Sequence, residues 1–222
     1  MKKIALGFAS VVLLAGVLTF TGCQESDISA PVITVTNDDA THNRVEQFSA
    51  VTYTDPGATV VDDVDKDLVA TAAGTVNMNS AGEYVITYTA TDKALNVGNA
   101  TRTVTVDGAM YLDNFTYMVT DYPDGGSAGT PFAETLTSSL VTFNKINFVR
   151  FADYDNCPVY GTISGTTITI PQQTIINAGQ TPADRQFTGS GTFTNNFTSF
   201  TINYTEVTNG TTATGHITYV KN

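Results

Sequence analysis

Residues 83–91 alternate with a period of two, and no helical periodicity of useful length occurs anywhere in the 222 residues. This constrains the fold more than any other feature, because a strand sends successive side chains to opposite faces and buries only one of them. Tyr84, Ile86, Tyr88 and Ala90 fall on one face, and Val85, Thr87, Thr89 and Thr91 on the other. Similar short stretches recur along the chain. They are rich in Thr, Val, Tyr and Phe and are punctuated by Gly, Asn and Asp, a composition that suits pleated, half-buried surfaces. The expectation is an all-β protein of one or two domains.

Residues 31–107 read as a first module. Residues 31–35 open it as a strand, followed by a turn at Asn37, Asp38 and Asp39. Asp55-Pro56-Gly57 is a turn with a physical cause, since Pro presets φ and Gly permits positive φ. Residues 58–61 and 68–72 read as strands around the acidic loop 62–67. Residues 92–99 are a hairpin loop between the strand at 83–91 and its partner at 100–106. Short strands at this spacing form a β-sandwich. Tyr84 stands where an immunoglobulin-type tyrosine corner would place it, and Ile86 occupies the position of the second cysteine, so packing alone must hold the sandwich. The runs DPGATVVDDVDKDL and AGEYVITYTATDKALNVGNATRTVTV resemble the bacterial Ig-like domain of cell-surface proteins and of one class of pesticidal crystal toxins. The resemblance implies a spacer or adhesive module and brings no catalytic residues with it.

In the acidic loop, Asp63, Asp65 and Asp67 have the alternate spacing of a calcium loop. Leu68 stands where that loop requires Gly, and Gly74 where it requires a bidentate Glu, which excludes an EF-type site. A looser calcium site drawn from Asp62, Asp63, Asp65 and Asp67 stays open beside the reading of a solvated acidic loop. No other cofactor is expected.

Residues 110–222 read as a second module. Residues 111–119 alternate as a strand, and 121–131, DYPDGGSAGTP, form a long Gly-rich loop. One or two strands lie in 135–151, breaking at Asn144-Lys145. Strands at 158–164, 166–170, 187–193, 199–207 and 214–220 complete about eight in up-and-down order, which favours a small barrel or a strongly curved sandwich. Ser164-Gly165 and Asn209-Gly210 have the composition of tight hairpin turns. YGTISGTTITIPQQTI, FTGSGTF, FTINYTEV and HITYVKN resemble a lipocalin-like carboxy-terminal domain of Bacteroidetes surface lipoproteins, often encoded near glycan-uptake systems of the starch-utilisation type. No assigned site residues come with that resemblance.

A barrel of this size either fills with side chains or holds one small ligand. The chain has no Trp, so any aromatic platform must come from its Tyr residues. The loops 122–130 and 153–160 are where binding residues would gather on a rigid scaffold, which singles out Tyr122, Tyr154 and Tyr160. The same residues also read as ordinary cross-strand packing.

The N-terminus addresses the chain. Lys2 and Lys3 precede an apolar stretch, residues 4–20, that is short for a spanning helix and is followed by no stop-transfer charges. Its ending, LTFTGC, resembles the bacterial lipobox, with Phe20 in place of the usual Leu. The resemblance implies that residues 1–22 are a lipoprotein signal peptide and that Cys23 is acylated and becomes the mature N-terminus. Residues 23–30 then form a polar tether. Glu25 and Asp27 are similar to the acidic signal that sends Bacteroidetes lipoproteins to the outer face of the outer membrane.

Without residues 1–22 the chain keeps 8 basic and 21 acidic residues, a net charge of −13. Such a surface repels phosphate backbones, so nucleic acid is excluded as a partner. With Cys23 spent on lipid, Cys157 stands alone, which precludes an intrachain disulfide. Only His42 and His216 are available to activate a thiol, and neither lies in a motif, so Cys157 reads as buried and inert. The carboxylates of the second module, among them Asp121, Glu134, Asp153 and Glu206, are too scattered to assign as a hydrolytic pair. The expected function is a non-catalytic, surface-anchored binding module engaged in glycan capture. The alternative is a structural or adhesive accessory of an outer-membrane protein complex.

Overall fold

The computed structural model describes residues 26–181 and 183–222; the signal segment and Cys23 lie outside the described residues. Among the described residues no helix is long and apolar enough to cross a membrane.

The first module contains β1 (Val32–Val35), α1 (Ala40–Asn43), β2 (Arg44–Glu46), β3 (Ala58–Val61), β4 (Thr71–Ala73), β5 (Gly82–Thr91) and β6 (Val97–Asp107). β1 pairs antiparallel with β3, while β2, β6, β5 and β4 form a second sheet in that order, β2 lying parallel to β6. The two sheets enclose Ile86, Tyr88 and Val104, with Ile33, Val35, Val45 and Tyr53 packed around them. The faces expected for β5 are the observed ones: Ile86, Tyr88 and Ala90 are buried, and Val85 and Thr91 are exposed. The tyrosine corner is present, the Tyr84 hydroxyl donating to the Ser80 carbonyl at 2.7 Å.

At its centre lies Arg102, fully buried. Its guanidinium donates to the carbonyls of Thr36 and Asn37, to Asn43 Oδ1 (2.7 Å) and to the Tyr88 hydroxyl (3.3 Å), and pairs with Asp55 at 3.2 Å. A planar group with five donors can satisfy that many partners at once. Two elements were not expected from the sequence. α1 exists because the Asp39 carboxylate accepts from the amides of Thr41 and His42, and β2 is too short to display a period. The strand expected at 68–72 begins only at Thr71, after Asp67 in the left-handed region (φ 62°).

The second module begins without a linker. α2 (Gly108–Leu112) follows β6 directly, capped by the Asp107 carboxylate, which accepts from the amides of Ala109 and Met110. The strand expected from residue 111 therefore starts later, as β7 (Thr116–Pro123); Tyr111 and Leu112 are helical and buried. Then come β8 (Phe132–Thr135), β9 (Thr137–Ser138), β10 (Lys145–Phe148), β11 (Val159–Ser164), β12 (Thr167–Ala178), β13 (Ala183–Thr192), β14 (Ser199–Thr208) and β15 (Thr211–Lys221). The sheet order is β8-β7-β15-β14-β13-β12-β11-β10-β9. β8 and β9 sit at its two edges yet are separated in sequence only by the buried Leu136. Residues 132–138 therefore run as one bent strand, pairing with β7 at its start and β10 at its end. Counting that strand once leaves eight, wound up and down into a nearly closed antiparallel barrel. The Asn209-Gly210 turn has positive φ at both residues, the primed geometry its composition calls for.

One end of the barrel is filled by aromatic rings. Tyr117 stacks on Phe197, Phe200 stacks on Tyr219, and Tyr111 packs on Phe193 and Phe197. The first module docks on this end. Phe48 sets its ring edge-on against Tyr111 at 5.0 Å, and Ala81 and Gly165 exchange backbone hydrogen bonds. The fully buried Gln47 donates to the carbonyls of Asn79 and Gly165. Gly108 sits in this junction, where a Cβ would stand 2.5 Å from Gln47 Oε1 and 2.8 Å from Ile163 Cγ2.

Candidate functional site

The inward positions of three barrel strands change character along their length. On β7 they run Tyr117, Val119, Asp121; on β14 Phe200, Ile202, Tyr204, Glu206; on β13 Phe187 is followed, one pleat nearer the strand start, by Arg185. Because the strands are antiparallel, these polar members meet at one end, opposite the aromatic plug. Loops 124–131 and 149–158 cross the opening, close enough that a Cβ on Gly129 would lie 2.7 Å from Asp153 Oδ2.

The result is a cleft of about 270 Å³ bordered by Asp121, Gly129, Asp153, Tyr154, Tyr204 and Glu206. Tyr154 and Asp153 form its wall with a second hollow of about 520 Å³, which also holds Arg150, Gln180 and Arg185. Glu206 is the hub. It accepts from Arg185, from the Thr208 hydroxyl (2.6 Å) and from the Tyr154 hydroxyl (3.0 Å). Arg185 lies flat over the Tyr154 ring, 3.8 Å from its centroid. Arg150 pairs with Asp153 at 2.5 Å and Asp155 at 3.4 Å, and covers the Phe132 ring. The Tyr204 hydroxyl donates to Asp121 Oδ1 at 3.0 Å.

Burial pushes Asp121 up to about 6 despite that hydrogen bond, with Asp153 and Glu206 adding like charge. Burial likewise raises the Tyr154 phenol to about 12. Perturbed groups in a cleft mark a candidate site. A separate hollow of about 310 Å³ on the first module, between Val45, Tyr53 and Met78, offers fewer converging polar groups, and its His42 is engaged by Asp39 at 2.8 Å. The barrel mouth is the better candidate.

Of the tyrosines singled out in the sequence, Tyr154 lines the cleft. Tyr122 lies on the outer face of β7, stacked on His216 at 4.9 Å, and Tyr160 lies outside β11 beneath Lys145 Nζ. The two loops chosen from sequence do meet at the mouth. Arg185, Glu206 and Asp121 were not singled out as a site, although an ionisable residue at the inward position of three strand ends is a visible signal. Cys157 is buried, its thiol pushed up to about 12, which leaves little nucleophilic thiolate. In the acidic loop, Asp65 binds the Lys93 ammonium at 2.6 Å and the Lys93 amide at 2.8 Å, while Asp62 and Asp63 approach Asp27.

Residues 42–106 match the family described as bacterial surface protein, Ig-like domain, a segment that holds all the strands of the sandwich except β1. Among solved structures, a lipoprotein from Bacteroides thetaiotaomicron aligns with 85% of this chain and 98% of its own at 14% identity, with a TM-score of 0.32. No curated protein matches.

Proposed function

We propose that the protein is a lipid-anchored, non-catalytic binding module of the bacterial cell surface that holds the barrel-mouth cleft outward to capture a glycan. One observation carries this reading: the described chain enters at the end of the first module remote from the barrel, and the cleft opens at the barrel's far end. The chain enters at Asp27, whose carbonyl accepts from Asn96 Nδ2 in the β5–β6 hairpin. β5 spans ten residues from that hairpin to the barrel junction, about 33 Å at the strand rise. The cleft opens beyond the barrel's far end. A bacterial surface Ig-like module in the middle fits the role of spacer. An acyl group on Cys23 would fasten the near end to the outer membrane.

The chemistry of the cleft favours an uncharged, hydroxyl-rich ligand. Arg150 and Arg185 pair with Asp153 and Glu206, while Asp121 and Asp155 add carboxylates, so the mouth combines fixed donors and acceptors with an acidic excess that disfavours anionic ligands. Recognition rests on hydrogen bonds more than stacking, since Arg185 already covers a face of Tyr154. The non-catalytic reading is supported by Glu206, whose oxygens are occupied by three donors.

The test is binding of the chain lacking residues 1–23 to arrayed polysaccharides. Capture of one polysaccharide class, weakened at least about tenfold by Asp153→Ala, is expected, equivalent to about 1.4 kcal/mol. A blank array sinks the reading. A second reading, an adhesive accessory to other surface proteins, is favoured by the loop carrying Leu140 and Val141, which are 85% and 90% exposed.

A further inference from the structure

We propose that Asp27, Asp62 and Asp63 form a calcium site that fastens the N-terminal segment, residues 26–31, to the Ig-like module. Each of the three offers a carboxylate oxygen, and these oxygens lie within 4.8 Å of one another. Two oxygens bound to one calcium ion at 2.3–2.6 Å can be no further apart than about twice that distance, so the spacing matches a shared ion. An all-oxygen, carboxylate-rich set selects a hard cation over zinc or copper.

The independent observation is a pair of orphaned atoms. Asp62 is 94% buried, being 6% exposed. Its Oδ1 accepts from the amides of Val64 (3.0 Å) and Asp65 (2.7 Å), but its Oδ2 is buried without any partner. Asp27 repeats the pattern: Oδ1 accepts from the Ser29 amide at 3.0 Å, and Oδ2 is buried without a partner. A buried carboxylate oxygen with nothing to accept from is costly, and the two carboxylates that carry such oxygens, 35 residues apart in sequence, are brought together here. The Lys66 Nζ ammonium is spent on main-chain carbonyls, those of Asp62 (2.7 Å) and Asp63 (2.8 Å). The Lys93 ammonium is held by Asp65. A divalent cation would offset most of the trio's negative charge and give the orphaned oxygens a partner.

The structural consequence follows from where Asp27 sits. It belongs to the segment entering β1, whereas Asp62 and Asp63 follow β3, so an ion held by all three pins the entering chain to the sandwich. With calcium the module stands in a set orientation on its tether; without it the segment is held by the buried Pro31 at its end, by Asn96 and by the Ser29 hydroxyl on Asp63 (3.1 Å).

The experiment is calorimetric titration of the full chain in detergent with calcium chloride, with hydrogen exchange followed over residues 26–31. One ion per chain is expected, with a Kd of about 10⁻⁴ to 10⁻³ M, the range of extracellular calcium modules. Exchange of the 26–31 amides should slow at least about tenfold in calcium and recover in chelator. Asp62→Asn and Asp63→Asn should each abolish binding, and Asp67→Asn should leave it unchanged. Asp63 is exposed, so its variant keeps the test valid if Asp62→Asn fails to fold. Absence of binding heat in the unaltered chain, binding that survives Asp63→Asn, or binding that leaves exchange over 26–31 unchanged would each overturn the proposal.

Discussion

The two modules are both antiparallel β structures, yet their interiors are built from different materials. The barrel encloses a continuous apolar cluster dominated by aromatic rings, from Tyr111 and Phe193 at the docked end to Phe151 and Phe187 near the mouth. The sandwich has only Ile86, Tyr88 and Val104 as its buried apolar cluster, and places a fully buried arginine beside them. A small sandwich without a disulfide buries little apolar surface, and here a polar knot does the joining instead: Arg102 ties the residues just after β1, the end of α1, β5 and the Asp55 turn together. Such a knot stabilises only while every member is satisfied.

The comparison can be broken most directly at Arg102. Arg102→Met should destabilise the sandwich by about 3–5 kcal/mol, since it leaves two carbonyls and the Asn43 amide oxygen without their donor and Asp55 without its cation. Denaturant unfolding followed at sandwich and barrel probes would measure it; a loss below about 1 kcal/mol would mean that apolar packing, as in the barrel, carries this module too.

A pH experiment sharpens the contrast from the barrel side. Glu134 lies inside the barrel, its Oε1 accepting from the amides of Val149 and Arg150 and its Oε2 without a partner. Burial raises it to about 7 against an ordinary 4.5. The folded state therefore holds a proton that the unfolded chain releases between these values. This contribution is fully present below about 4.5 and is lost as pH rises through about 7, so barrel stability should fall over that window by on the order of 3 kcal/mol. Glu134→Gln should flatten the profile of melting temperature against pH between 4.5 and 7. An unchanged slope would place the proton elsewhere, with Asp121 the next group to test.

The smallest effect expected is at Tyr84. Its half-buried hydroxyl makes one hydrogen bond to the Ser80 carbonyl, so Tyr84→Phe should cost about 1 kcal/mol, read as a shift in the chemical midpoint. A loss of several kcal/mol would mean that the corner organises the whole sandwich, as Arg102 does.

The parts legible beforehand are those written in a few adjacent residues. The faces of β5 follow from alternation alone, and the hairpin at Asn209-Gly210 follows from residues that tolerate positive φ, whereas the turn expected at Ser164-Gly165 sits one residue later, at Gly165-Thr166, with Ser164 still paired in β11. Tyr84 could be placed because its corner reaches back only four residues. The barrel was legible as a rhythm of strands, and the two loops at its mouth as breaks in that rhythm. Misreadings also have local causes: residues 111–119 alternate, but the Asp107 cap and the burial of Tyr111 and Leu112 turn their first part into helix.

What depended on tertiary structure is every meeting of distant residues. Asp121 reaches Tyr204 because β15 closes the barrel between β14 and β7, pairing chain segments about eighty residues apart. Arg185 and Glu206 face one another through the register of β13 and β14, and a slip of one residue would turn both outward. Asp27 finds Asp62 only because β1 and β3 lie side by side. Side-chain alternation and turn chemistry act over two to ten residues, so the sequence by itself determined the strands, their wet and dry faces and the two-module plan. Closure and register act over the whole chain, and they alone decided which charges share the cleft and which carboxylates converge at the tether.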